Sequence, residues 1–166
     1  MAPGPARNSS LRRRDGKGKR LVRIDIDYEG DLHCRARHGP SGRALETDAP
    51  VDNHGRGESF SPTDLLATGL GTCMATTMDI VAKKNGWDLT GMHVSVEKIM
   101  SREPPRRVAR LETTLTLSEP RASLLDAGAR AELEHTAHTC PVRLSLASGV
   151  EVPVTFVWGA SESRGS

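Results

Sequence analysis

Large aromatic side chains are almost missing from this chain. Tyr28, Phe60, Trp87, Phe156 and Trp158 are the only five in 166 residues. The hydrophobic share, 36%, is also below the 45–50% of ordinary globular chains. A core drawn from one copy of such a sequence is modest, which makes burial between subunits worth expecting. No consecutive apolar run approaches the roughly 18 residues of a membrane-spanning helix, so no membrane partner is expected. Cysteine is sparse: Cys34, Cys73 and Cys140 are odd in number and far apart, which excludes a small disulfide scaffold. No apolar stretch of 7–15 residues opens the chain, so a secretory signal is not expected there.

Charge is present but unevenly placed. The formal net charge is +2, yet Arg7, Arg12, Arg13, Arg14, Lys17, Lys19 and Arg20 face only Asp15 within the first twenty residues. The remainder is net acidic. Residues 1–19 are rich in Gly, Pro, Ser and Arg and bury too little to offset their ordering entropy, so a disordered basic tail is expected. A solvated tail explains this cluster more simply than a nucleic-acid-binding arm, because a short basic run is a weak motif. Residues 20–159 form the expected domain, and 160–166 a second short tail.

Patterning supplies the element order. Val22, Ile24, Ile26 and Tyr28 alternate with charged residues, as in a half-buried strand. After a turn at Glu29-Gly30-Asp31, Leu32, Cys34 and Ala36 alternate likewise. A third strand is expected over 44–47, and loop chemistry over 48–60. A long helix is expected over 62–85, with Ser61 as cap, Pro62 at the first helical position, Asp64 in the first turn and Gly86 past the end. Strands follow near 92–97 and 111–117. A helix is expected over 121–137, a short one from Pro141 to about Ala147, and a last strand over 150–158. The order β-β-β-α-β-β-α-α-β is α+β, with a largely antiparallel sheet and helices on one side.

Cys73 falls mid-helix among small residues (Ala67, Gly69, Gly71, Ala75), where another helix or a substrate could approach. A buried structural cysteine is the plain alternative. Cys140, in His138-Thr139-Cys140-Pro141-Val142, stands where a helix begins. A helix N-terminus favours thiolate; a small cap without chemistry is the alternative. A third possibility is zinc on His135, His138 and Cys140, but no fourth ligand is evident and no Cys-x-x-Cys pair exists. Cys34, beside Leu32 and Ala36 on the inward side of its strand, reads as core. The basic turn Arg102, Arg106 and Arg107 around Pro104-Pro105 reads as a solvated surface.

Two segments together carry a resemblance. Gly57-Glu58-Ser59-Phe60-Ser61-Pro62-Thr63-Asp64-Leu65-Leu66-Ala67, continued by Leu70-Gly71-Thr72-Cys73, resembles the first-cysteine segment of the OsmC/Ohr family. His138-Thr139-Cys140-Pro141-Val142 through Ser145-Leu146, with the Val-rich strand ending at Phe156 and Trp158, is similar to the second. Gly30-Asp31-Leu32 and Thr47-Asp48-Ala49-Pro50 also fit. The likeness covers about residues 20–158.

The resemblance implies an intertwined homodimer with two sites at the subunit interface. It also implies thiol-dependent reduction of organic hydroperoxides, with Cys73 as peroxidatic and Cys140 as resolving cysteine. No bound cofactor is implied, only an external thiol or dithiol reductant, and the family's bacterial branch implies a cytoplasmic setting. Family members aid the peroxidatic thiolate with an arginine held by a glutamate just after the helix-opening proline. Here that position is Thr63. Asp64 or Glu58 would then supply the acid, with Asp64 equally readable as a helix cap. Arg56 is the first choice for the arginine, Arg37 and Arg35 the alternatives. The competing class is a non-enzymatic stress or small-ligand-binding protein on the same fold, its cysteines only redox-sensing.

Overall fold

The computed structural model describes residues 21–160 together with Gly18. The expected tails otherwise lie outside the described residues. The chain divides into two compact units, one up to Pro62 and one from Thr63 onward.

The first unit is a three-stranded antiparallel meander. Strand β1 (Ile24–Gly30) pairs with β2 (His33–His38), which pairs with β3 (Ala44–Asp48). The turn between β1 and β2 uses left-handed backbone at Gly30, Asp31 and Leu32 (φ +94°, +47° and +63°), conformations that glycine and aspartate tolerate best. Register places Ile26 opposite Ala36 and Ala36 opposite Leu45, with Tyr28 opposite Cys34. One apolar face results, and it is uncovered: Ile24, Ile26 and Tyr28 are each more than half exposed. Alternation therefore gave the strand correctly, while the half-buried state expected for it does not hold in one copy. Cys34, expected in a core, is only half-buried on the same sheet. Beyond β3 the loop turns back on itself. Gly57 N–H donates to Ala49 C=O, Glu58 N–H to Asp48 Oδ2, and Asp48 N–H to Phe60 C=O.

The second unit holds the core. Helix α1 (Pro62–Asn85) has the expected bounds. Its end is the predicted glycine cap: Gly86 adopts φ +76° and Trp87 N–H reaches back to Ala82 C=O at 2.9 Å. Leu70, Met74, Met78 and Ala82 are fully buried. Gly71 packs against β4 (His93–Met100), where an added Cβ would come within 2.9 Å of Val96. The absence of a spanning-length apolar run needs correction in one respect. An 18-residue window of α1 averages a hydropathy of 1.4, enough by length and composition alone to cross a membrane, because Thr, Gly and Ala dilute it only weakly. Its inner residues are those of a core helix.

β4 pairs antiparallel with β5 (Val108–Ser118), and β5 pairs parallel with β6 (Val154–Ala160). The single, largely antiparallel sheet of the sequence reading is thus two three-stranded sheets, the second mixed. A parallel partner for β5 follows from the long crossover through two helices. The expected helix over 121–137 is broken. A 3-10 turn covers Ala122–Leu124, Leu125 is extended, and α2 (Ala127–His138) starts afresh because Asp126 caps it, its side chain accepting from Ala129 N–H at 2.8 Å. Helix α3 is short (Pro141–Ser145). β6 begins only after Pro153, which has no N–H to give a ladder; before it, Glu151 makes an isolated bridge to Arg110.

Candidate active site

Two cysteines 67 positions apart in sequence meet in the second unit. α1 carries Cys73 half-buried beside the core, and its backbone carbonyl accepts from Thr77 Oγ1 at 2.8 Å. α2 packs Leu133 and Ala137 into the cluster that holds Leu70 and Met74. The chain then leaves helical geometry at Thr139 and turns into α3. Cys140 sits at that corner, 1% exposed, as the N-cap of α3. Its thiol lies near enough to the Cys73 side chain for the two to interact electrostatically.

The electrostatics of Cys140 differ from the expectation of a helix-activated thiolate. Arg143 N–H does reach Cys140 Sγ, at 3.5 Å, and favours the anion. Burial outweighs it, and the neighbouring Cys73 adds to burial, so the Cys140 thiol is pushed above its ordinary value and keeps its proton. His138 is driven the other way. Burial, followed by the charge of Arg143, holds its imidazole below the ordinary 6.5. Its ring meets Phe156 edge-on at 5.8 Å, and Phe156 stacks on Trp158. Trp158 Nε1 donates to Glu134 Oε1 at 2.8 Å. These partners give His138 a packing role. Among the described residues no group of three or more His, Cys, Asp or Glu is placed to hold a metal ion.

The assisting charges are arranged unlike the arginine–acid device of the resemblance. Thr63 and Asp64, in the first turn of α1, both bind one cation, Lys98. Its Nζ lies 2.8 Å from Thr63 Oγ1 and 2.6 Å from Asp64 Oδ1. The sequence reading missed Lys98. The signal was available: Val94, Val96, Lys98 and Met100 share the inward register of β4, and a lysine among those apolar residues asks for a buried anion. Arg56 and Glu58 belong to the first unit, where they face one another at 3.8 Å, both exposed. Arg35 is engaged on its own sheet, with Glu29 at 3.0 Å and Glu46 at 2.9 Å. Arg37 lies on β2 opposite Asp25 and Ala44.

An α+β chain with two thiols brought near one another, one on a long core helix and one at the corner between two later helices, defines a two-cysteine protein of one fold class. The family described as OsmC-like protein matches residues 55–155. A Psychrobacter arcticus protein, provisionally described as an osmotic stress induced and detoxification response protein, is 38% identical with a TM-score of 0.76, over 82% of this chain and 96% of that one. The chain belongs to the OsmC-like family. The fold also matches the organic hydroperoxide resistance protein OsmC of Legionella pneumophila (16% identity, TM-score 0.65, 82% of this chain and 96% of that one). It matches the organic hydroperoxide resistance protein OhrB of Bacillus subtilis as well (14%, 0.58, 82% and 97%). No curated protein matches the chain.

Proposed function

We propose that this chain is a thiol-dependent peroxidase that reduces organic hydroperoxides through Cys73 and Cys140. The observation that carries the proposal is that the fold brings the two thiols near enough to interact. The names of the Legionella and Bacillus fold relatives, both hydroperoxide resistance proteins, point the same way.

The chemistry runs in three steps. Cys73 thiolate attacks the terminal oxygen of R–O–O–H, the O–O bond breaks, and the alcohol leaves with a proton while Cys73 becomes a sulfenic acid. Cys140 sulfur then attacks Cys73 sulfur. An S–S bond forms, the S–O bond breaks, and the hydroxyl departs as water with the proton of Cys140. An external dithiol reduces the disulfide and needs no bound cofactor. A thiol that keeps its proton suits Cys140, because it can donate toward the Cys73 sulfur until it is called on as nucleophile. Asp64 already holds Lys98, so its contribution passes through that ammonium. A homodimer in a reducing, cytoplasmic setting completes the proposal.

The test is peroxide consumption with a dithiol reductant, using cumene hydroperoxide and hydrogen peroxide side by side. Wild type turns over, favours the organic peroxide, and loses all turnover as Cys73→Ser. Wild type no faster than free dithiol overturns the proposal. The non-enzymatic reading then takes its place, favoured by the Lys98–Asp64–Thr63 arrangement where the family of the resemblance has an arginine–glutamate pair.

A further inference from the structure

The corner that presents Cys140 is held by one side chain that the proposed chemistry leaves unused. Arg143 reaches both sides of it. Its backbone N–H donates to Cys140 Sγ at 3.5 Å, and its Nη1 donates to His138 C=O at 3.2 Å. That carbonyl belongs to the last residue of α2, while Arg143 lies inside α3. One residue therefore straps the end of one helix to the start of the next, with the cysteine between them. Besides this strap, α3 is held by Val142 and Leu146, which pack half-buried against the core. The helix has five residues, none of them fully buried, and Leu144 is 69% exposed. Pro141 contributes no N–H at its start.

The guanidinium is also placed at a cost. Its Nε is buried and has no hydrogen-bond partner among the described residues. A buried donor left unmade works against stability and calls for an explanation. Burial, and after it the charge of Arg143, lowers His138, so the guanidinium also acts on the residue whose carbonyl it holds.

From this strap we infer that Arg143 is a positioning residue for Cys140, fixing the angle from which its sulfur reaches Cys73 when the disulfide closes. The inference rests on the proposed use of the cysteine pair. It concerns only the second step, in which Cys140 S–H and Cys73 S–OH give the disulfide and water. Cys73's own attack on peroxide does not pass through Arg143.

The experiment separates the steps. Reduced wild type, Arg143→Met and Arg143→Lys are mixed with one equivalent of cumene hydroperoxide, and dimedone traps the Cys73 sulfenic acid for mass spectrometry. In parallel, diamide closes the disulfide without any peroxide. For Arg143→Met, Cys73 oxidises at the wild-type rate, the dimedone adduct rises at least fivefold, and closure by diamide slows by a similar factor. Arg143→Lys, which keeps a cationic donor within reach of the His138 carbonyl, recovers most of the closure rate. A general folding defect would slow both steps and leave the lysine variant no better. Unchanged closure in Arg143→Met overturns the inference and leaves the peroxidase proposal standing. Failure of wild type to react with the peroxide, together with slower diamide closure in Arg143→Met, removes the peroxidase proposal and keeps the inference.

Discussion

Lys98 shows how one misplaced polarity reorganises a site. A lysine on the inward register of β4 must find acceptors, and it finds Thr63 and Asp64 in the first turn of α1. Its side chain is 17% exposed against 41% for Asp64, so solvent screens the pair in part. A double-mutant cycle of Lys98→Met and Asp64→Asn, followed by urea unfolding, is expected to give a coupling of about 0.5–1 kcal/mol that shrinks in 1 M salt. Zero coupling at low salt would make the contact decorative. The sequence showed the acid after the helix-opening proline to be missing and offered Asp64 in its place; that Asp64 would meet Lys98 was not readable, because a strand lysine 34 positions beyond it gives no local sign of its target. His138 supplies a pH prediction. Its folded-state value lies below the ordinary 6.5, so the native state disfavours the proton. The corresponding stability is fully present above pH 6.5 and is lost as pH falls through the lower folded value. The urea midpoint of wild type should therefore drop between pH 7.5 and 5.5 more than that of His138→Gln.

Among the elements, the regular ones were legible and their junctions were not. α1 could be bounded to the residue because Pro62, the apolar spacing and Gly86 agree. The helix expected over 121–137 failed at Asp126. Helical spacing there continued on both sides of a residue whose side chain caps a new helix instead of extending the old one. Asp126→Ala should cost about 1 kcal/mol, the usual worth of such a cap, measured by chemical denaturation. The sheet split escaped the sequence because alternation reports which side a residue takes and says nothing of which strand lies beside it. The contact of α1 with β4 is similarly invisible in sequence, yet it explains Gly71. An alanine there gains roughly 1 kcal/mol of helix propensity. It also drives a methyl group to within 2.9 Å of Val96 Cγ2 and 3.2 Å of Val94 Cγ1, and overpacking of stiff β-branched neighbours costs about 1–3 kcal/mol. Gly71→Ala is expected to be net destabilising; a higher urea midpoint would show that α1 can lift off β4 freely.

At the level of the whole molecule, the scarcity of aromatic residues returns as uncovered surface. The buried cluster of the second unit is built from Leu, Met, Val, Ala and Cys140, and only a third of the apolar window of α1 is buried, with Ile80 51% exposed. The first unit leaves Ile24, Ile26, Tyr28 and Leu45 open on one sheet face, at 58%, 66%, 66% and 46%. Contiguous apolar exposure of this kind marks an interaction surface or an aggregation hazard. The proposed homodimer would cover both. Each of those side chains contributes about 1.5–3 kcal/mol when fully buried, so a handful of them matter against a total stability of roughly 5–15 kcal/mol. Sedimentation equilibrium is therefore expected to return about twice the 17.9 kDa chain mass. Ile26→Asp, which sets a charge in the middle of β1 opposite Ala36, should shift the protein to monomer and make its melting temperature fall. A wild-type chain that sediments at one chain mass, with Ile26→Asp melting unchanged, would mean that the open sheet face is stable in water and that the dimer proposal is wrong.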